Sequence, residues 1–163
     1  MRRTKRKLRA TVIATASAAL LAGTVALAPG AGAVTPDSAT VRYDCGILGG
    51  SDATLTAAQS GTDAWITVDF LGLTAPVTTA PNSVTTTLVL SDVNTGDPVT
   101  FAGTINPLIV PGDDLVLGPL QGTVATGEFL DTIAGAYSLR FVMYGITISC
   151  RSLTALYSGP FVF

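Results

Sequence analysis

Histidine is missing from all 163 residues. A histidine general acid or base, a Ser–His or Cys–His nucleophile and a His-held metal are therefore excluded together. Lysine occurs only as Lys5 and Lys7. Beyond the first nine residues no Ser–Lys dyad can form, because no lysine follows. Charged residues make up 12% of the chain, about half of the usual share of about 25%. Aromatic residues are 7%, too few to line a long sugar cleft. Only two cysteines and one tryptophan are present. No segment shows a sustained helical period, and no apolar run after the leader is long enough to cross a membrane as a helix.

What is present divides at about residue 33. Arg2, Arg3, Lys5, Arg6, Lys7 and Arg9 crowd the start, and the remainder holds only Arg42, Arg140 and Arg151 against eleven acidic residues. Past the leader the balance is 3 − 11 = −8. The uncharged stretch Ala10–Ala28 follows the basic run, Pro29 and Gly30 break it, and Ala31-Gly32-Ala33 places small residues where a signal peptidase reads them. This is the pattern of a secretory leader over residues 1–33, cleaved after Ala33, with no stable membrane anchor expected. Thr24 stands where a lipoprotein needs cysteine, and Thr4, Lys5 and Arg6 follow the arginine pair where a twin-arginine leader needs apolar residues. A secreted, extracellular single domain over 34–163 is expected, large enough to bury its own core. Its acidity argues against nucleic acid and anionic lipid as partners, since both draw clustered Lys and Arg. Export into an oxidising compartment and an even cysteine count predict one disulfide, Cys45–Cys150. A redox pair lacks the CxxC spacing, and no lysine or histidine is near to activate a thiol.

The domain reads as all-β. Twenty threonines occupy the 130 residues from Val34 onward, and Thr and Val favour strands. Gly, Pro, Asn and Asp punctuate the chain at intervals of about ten residues, as in a sandwich or barrel. Ile66, Val68 and Phe70 alternate against Trp65, Thr67 and Asp69, and Val84, Thr86, Leu88 and Leu90 form a second face. Asp92–Asp97 reads as a hairpin turn into Val99, Phe101 and Gly103. Tyr137, Leu139, Phe141 and Met143 alternate, Gly145 marks a bulge or bend, Ile146, Ile148 and Cys150 continue, and Leu153, Ala155 and Tyr157 make a last strand. Residues 34–38 read as a flexible tail, 74–82 as a loop, and the prolines at 107, 111 and 119 predict short edge-like pieces there. Trp65 is expected in the core, with exposure as a binding aromatic the alternative.

The order Cys45, Trp65, Cys150 resembles that of immunoglobulin-like sandwiches, although Ile148 stands where a tyrosine corner would place tyrosine. The expected fold is an immunoglobulin-like antiparallel β-sandwich, with a small closed β-barrel as the alternative. Val41–Gly49, Gly103–Pro107 and Gly118–Gly122 are similar to segments of small exported proteins of high-GC actinobacteria. That resemblance implies export and a β-rich fold and carries over no functional residue.

Three chemistries remain to be compared with the residues present. Asp113-Asp114, Glu128 and Asp131 are candidate paired carboxylates for glycoside hydrolysis, against the plainer reading of solvated turn residues. Asp131-Thr132-Ile133 lacks the Asp-Thr-Gly of an aspartic protease. Asp92, Asn94 and Asp97 offer oxygens at spacings like a calcium loop, but Gly103 stands where such a loop needs a bidentate glutamate. No catalytic residue, cofactor or metal ligand is assigned. The expected function is a non-catalytic extracellular binding or interaction module. The alternatives are a carrier of a small apolar molecule, an inhibitor of a secreted hydrolase using the loop Thr74–Pro81 or Asn106–Asp113, and a transmembrane or assembling β-barrel subunit, motivated by the terminal Phe161-Val162-Phe163.

Overall fold

The computed structural model describes residues 33–163, so the expected leader lies outside the described residues except for Ala33, which is exposed. Ten strands follow one another: β1 (Ser38–Asp44), β2 (Gly50–Ser60), β3 (Asp63–Thr74), β4 (Thr85–Asp92), β5 (Pro98–Gly103), β6 (Asp114–Thr123), β7 (Phe129–Asp131), β8 (Tyr137–Met143), β9 (Ile146–Ser152) and β10 (Phe161–Val162). A 3-10 turn at Gly46–Leu48 joins β1 to β2. All strand pairs are antiparallel.

The architecture is a closed barrel, which corrects the immunoglobulin-like sandwich and matches the alternative. Neighbours run β4-β5-β6-β3-β2-β1-β9-β8, and β8 pairs back onto β4 through Thr85↔Val142 to Leu88↔Leu139. Eight strands thus close on themselves. The sandwich expectation failed because alternation fixes which side chains face inward, and one closed sheet presents the same alternation as two facing ones. Register shifts on β3, between Ile66 and Val68 and between Asp69 and Thr74, bend the sheet. Gly118, at φ +107° and with a notional Cβ 2.8 Å from the Ile66 carbonyl oxygen, lets β6 approach at the first of these. This is how β6 runs unbroken through Pro119, where short pieces were expected.

An eight-stranded ring is just wide enough to be filled by its own side chains. Small residues (Ala39, Ala53, Ala57, Ala64) and large ones (Tyr43, Phe70, Phe101, Phe141) share the buried inner face. Ala53 lies opposite Phe70, Thr86 opposite Phe141, and Leu88 opposite Phe101. Tyr43, Phe70 and Phe141 form a chain of tilted aromatic contacts at 6.0 and 6.4 Å. The barrel interior is therefore a packed core.

Each end is plugged. At one, β7 extends the far half of β4 through Ser91↔Asp131, and β10 pairs with β7. This brings Leu130, Phe161 and Phe163 into the core, with Phe163 stacked on Phe101. Val34 is buried beside them and Thr35 bridges to Val162, so the expected flexible tail is instead part of the fold. The expected strand at Leu153–Tyr157 is not regular. The backbone there bonds along β1, from Leu153 N–H to the Arg42 carbonyl and from Tyr157 N–H to the Thr40 carbonyl.

Candidate functional site

Each residue singled out from the sequence has a structural place. Cys45 and Cys150 are bonded at 2.01 Å and buried. They sit at the seam between β1 and β9, directly after the two paired positions Tyr43↔Ser152 and Asp44↔Arg151. Trp65 is half-buried on the outer face of β3, opposite Ala58 and Gln121, and is not a core residue as expected. The Asp92 carboxylate is consumed by its own turn, accepting from Asn94 N–H at 2.9 Å and the Thr95 hydroxyl at 3.3 Å. Gly96 N–H closes the turn onto the Asp92 carbonyl. This is hairpin chemistry, and among the described residues no group of three or more His, Cys, Asp or Glu is placed to hold a metal.

The four weighed carboxylates do not converge. Asp113 and Asp114 stand at the start of β6, whereas Glu128 and Asp131 follow its end. Ten strand residues at about 3.3 Å each separate the two groups. All four accept from backbone: Asp113 from Val110 N–H, Asp114 from Gly72 N–H on β3, Glu128 from Ala125 N–H, and Asp131 from Thr132 and Leu156 N–H. Nothing in that arrangement resembles a paired acid and base.

The most elaborated region is the barrel end where β3 leads to β4, β5 to β6, and β8 to β9. Its centre is Asn106, buried between two loops. Its Oδ1 accepts from Ser83 and Val84 N–H at 2.8 and 3.0 Å, and its Nδ2 donates to the Ala80 and Pro107 carbonyls at 2.8 and 2.7 Å. All four hydrogen-bonding positions of the amide are used. Thr79 and Ile109 bridge the same loops, and Ile109 plugs the barrel. From the third side comes Tyr144, first residue of the two-residue turn between Met143 and Ile146. Its hydroxyl donates to the Val77 carbonyl at 2.8 Å and contacts the Thr79 hydroxyl. Tyr144 sits at φ 54°, a conformation that bulky side chains avoid.

The surface so formed is apolar. Val77, Leu108, Val110, Tyr144 and Ile146 are between 42% and 58% exposed. Residues 75–84, 104–112 and 143–149 contain no charged residue. Of the eleven acidic residues, Asp37, Asp63, Asp92, Asp97, Glu128 and Asp131 lie at or next to the opposite end, whereas Asp44, Asp52, Asp113 and Asp114 flank this one. Near that end is a shallow pocket of about 100 Å³ lined by Val89, Leu90, Pro98, Ile133, Ala136 and Tyr137. Pockets for drug-sized ligands are larger, on the order of 300–1,000 Å³. The two long loops and the Gly103–Pro107 segment stand out in the sequence, but not what joins them. The missing signal was Asn106, a polar residue between Ile105 and Pro107 with three of its four partners more than twenty residues away.

Comparison with protein families, with curated proteins and with solved structures finds no match.

Proposed function

We propose that this chain is an exported, disulfide-stapled, non-catalytic β-barrel that acts outside the cell as a binding module, with the apolar loops of one end as the contact face. One observation carries the reading. The barrel interior is filled by fully buried Tyr43, Phe70, Phe101 and Phe141, while apolar side chains stand exposed on loops that are held in place. A barrel of this kind recognises by surface and not by enclosure, and exposed apolar patches on anchored loops are where contacts form. The basic n-region, uncharged stretch and Ala-Gly-Ala site support export, as does the disulfide. The outward positions of the strands carry Thr40, Arg42, Thr54, Asp69, Thr87 and Arg140 around an apolar interior. A membrane barrel has the reverse arrangement, apolar outside and polar inside.

Hydrolase inhibition is a second reading. It is favoured by the clamping of Thr74–Pro81 and Asn106–Asp113 to each other, since an inhibitory loop must be rigid before it binds.

The test compares photo-crosslinking probes at Thr78, on the loop end, and Asn94, on the opposite end, in protein kept in its native extracellular medium. Crosslinks from Thr78 and not from Asn94 are expected. Equal labelling from both positions, or turnover of a substrate by the purified protein, contradicts the proposal.

A further inference from the structure

We infer that the recess between β4 and β8 is a binding site for a small neutral ring compound carrying one oxygen, of the chemical class of the phenols. The inference does not rest on the loop end being a contact face, since the recess lies toward the other end of the barrel.

The recess is a gap in the barrel wall. Pairing of β4 with β8 ends at Leu88↔Leu139, and β7 takes up the same edge of β4 only at Ser91↔Asp131. Val89 and Leu90 have no strand partner on that edge. At the same level the register of β8 against β9 shifts, between Tyr137 and Leu139, and such a shift bends a strand away from its neighbour. The space so opened is about 100 Å³. Buried Leu90 and half-buried Val89 both line it, so it cuts into the wall instead of lying on its outer face. Two separate loops fence the mouth. The β4–β5 turn brings Gly96, and the segment after β7 brings Ile133 and Ala136. The unpaired stretch of β4 is too short for an added strand, so the opening suits a small molecule.

Size, charge and polarity select the occupant. An apolar cavity of about 150 Å³ takes up benzene. The smaller, half-open recess therefore holds a single ring. Its lining carries no charged side chain, so an ion of either sign would leave water without a partner. Asp92 and Asp97 flank the lining residues Ser91, Gly96 and Pro98, and they add repulsion against an anion. Tyr137, whose ring is 73% exposed, stands at the mouth and offers a face to an aromatic guest. Behind the lining, the Ser138 hydroxyl donates to the buried Tyr43 hydroxyl at 3.4 Å, a long bond for two hydroxyls. No other hydrogen bond reaches either oxygen among the described residues, so one of the pair's two protons has no acceptor. Burial pushes the Tyr43 hydroxyl up to about 12, so it stays protonated at ordinary pH. With Tyr43 donating instead, the Ser138 proton is free for an oxygen in the recess that Ser138 lines. Apolar walls with a few placed polar groups are what orient a small ligand.

Amide shift titration of the isotope-labelled protein with phenol tests this. Saturable shifts are expected at Val89, Ser91, Gly96, Ala136, Tyr137 and Ser138, and none at Val77, Leu108 or Tyr144. Half-saturation on the order of 1 mM suits a guest of about seven heavy atoms in a half-open site. Benzoate, with the same ring and a charge, should bind roughly tenfold or more weakly. Ala136→Leu fills the recess from a half-buried position and should abolish the saturable shifts. Ile133→Asp changes an exposed loop residue, puts a charge at the mouth and should weaken them as well. Ser138→Ala should weaken phenol several-fold and leave toluene unchanged, with thermal unfolding as the check that each variant folds. No saturation by about 20 mM phenol overturns the inference. Shifts that survive both Ala136→Leu and Ile133→Asp overturn it, as do shifts confined to the loop end and benzoate binding as tight as that of phenol. Phenol binding indifferent to Ser138→Ala overturns the requirement for an oxygen. None of these results touches the contact-face reading, which the Thr78 and Asn94 crosslinks decide by capture of a macromolecule.

Discussion

Asn106 ties the loop before β4 to the loop before β6 through one side chain, and its removal has a calculable direction. Asn106→Ala leaves Ser83 and Val84 N–H without their partner, while the Ala80 carbonyl keeps the Ser83 hydroxyl. Each unsatisfied buried group costs about 1–3 kcal/mol, reduced where water enters. We expect a loss of about 2–4 kcal/mol in urea unfolding, with fast amide exchange confined to 79–84 and 104–110. Gly122 makes a complementary prediction. A Cβ there meets Phe101 Cδ1 at 2.6 Å and the Thr100 carbonyl oxygen at 2.9 Å, while Phe101 is itself pinned on Phe163. Gly122→Ala should therefore destabilise by about 1–3 kcal/mol, an overpacking cost measurable by thermal unfolding. Tyr43 supplies the pH dependence. Burial pushes its hydroxyl up to about 12 from 10.0, and the hydrogen bond from Ser138 acts weakly the other way. Below about pH 10 the neutral phenol is common to both states and its contribution is intact. Between 10 and 12 the unfolded chain releases this proton and the folded one keeps it, so stability falls as pH rises, by about 2–3 kcal/mol in all. Tyr43→Phe should flatten that alkaline slope while leaving stability at neutral pH nearly unchanged. At this scale the sequence was informative about kind and not about reason. Cys45 and Cys150 pair as parity predicts. Trp65 lies on the outer face because it shares the parity of Thr67 and Asp69, a periodicity that outranks the general tendency of tryptophan to be buried.

Among the elements, the β1–β9 seam and the β8–β9 turn decide how the ring holds. The seam has two paired positions and then the Cys45–Cys150 bridge, which ties the first strand of the barrel to one near the end of the chain. Cross-linking so long a loop is worth about 4 to 5 kcal/mol in the chain-entropy picture, an upper figure. Replacing both cysteines by serine should cost about 2–5 kcal/mol in urea unfolding, with the first loss of amide protection along Thr40–Asp44. In the turn, Tyr144→Asn relieves a left-handed backbone but removes the tie to Val77. We expect stability nearly unchanged, because the two effects oppose, while exchange of the Thr79 and Ile109 amides accelerates. Strands with strong alternation, such as Ile66–Phe70 and Leu139–Met143, were legible because period-2 burial is local. Less legible were elements defined by distant partners. β10 and the bridge at Thr35 exist through each other and β7. Leu153–Tyr157 alternates like a strand but follows β1 through irregular bonds. Gly145 closes a two-residue turn with Tyr144 where a bulge or bend was expected.

For the whole molecule, closure of the sheet determines the rest, since it turns the large side chains into one filled interior. Closure was not legible because it depends on β4 meeting β8 across about fifty residues of chain, while the alternation within each strand is the same in a sandwich. The proposed export makes its own prediction. Protein recovered from the medium of its host should begin at Val34 by N-terminal mass spectrometry, and a start within the uncharged stretch contradicts cleavage after Ala33. Val34 is buried and Thr35 pairs with Val162, so that cut falls at the edge of the folded body. The closed ring itself is tested most directly by cross-strand nuclear Overhauser contacts between β4 and β8. The account predicts backbone contacts linking Thr86 with Phe141 and Leu88 with Leu139, together with protected amides on both edges of β4. Absence of those contacts, with one edge of β4 exchanging freely, would show two open sheets and contradict the barrel.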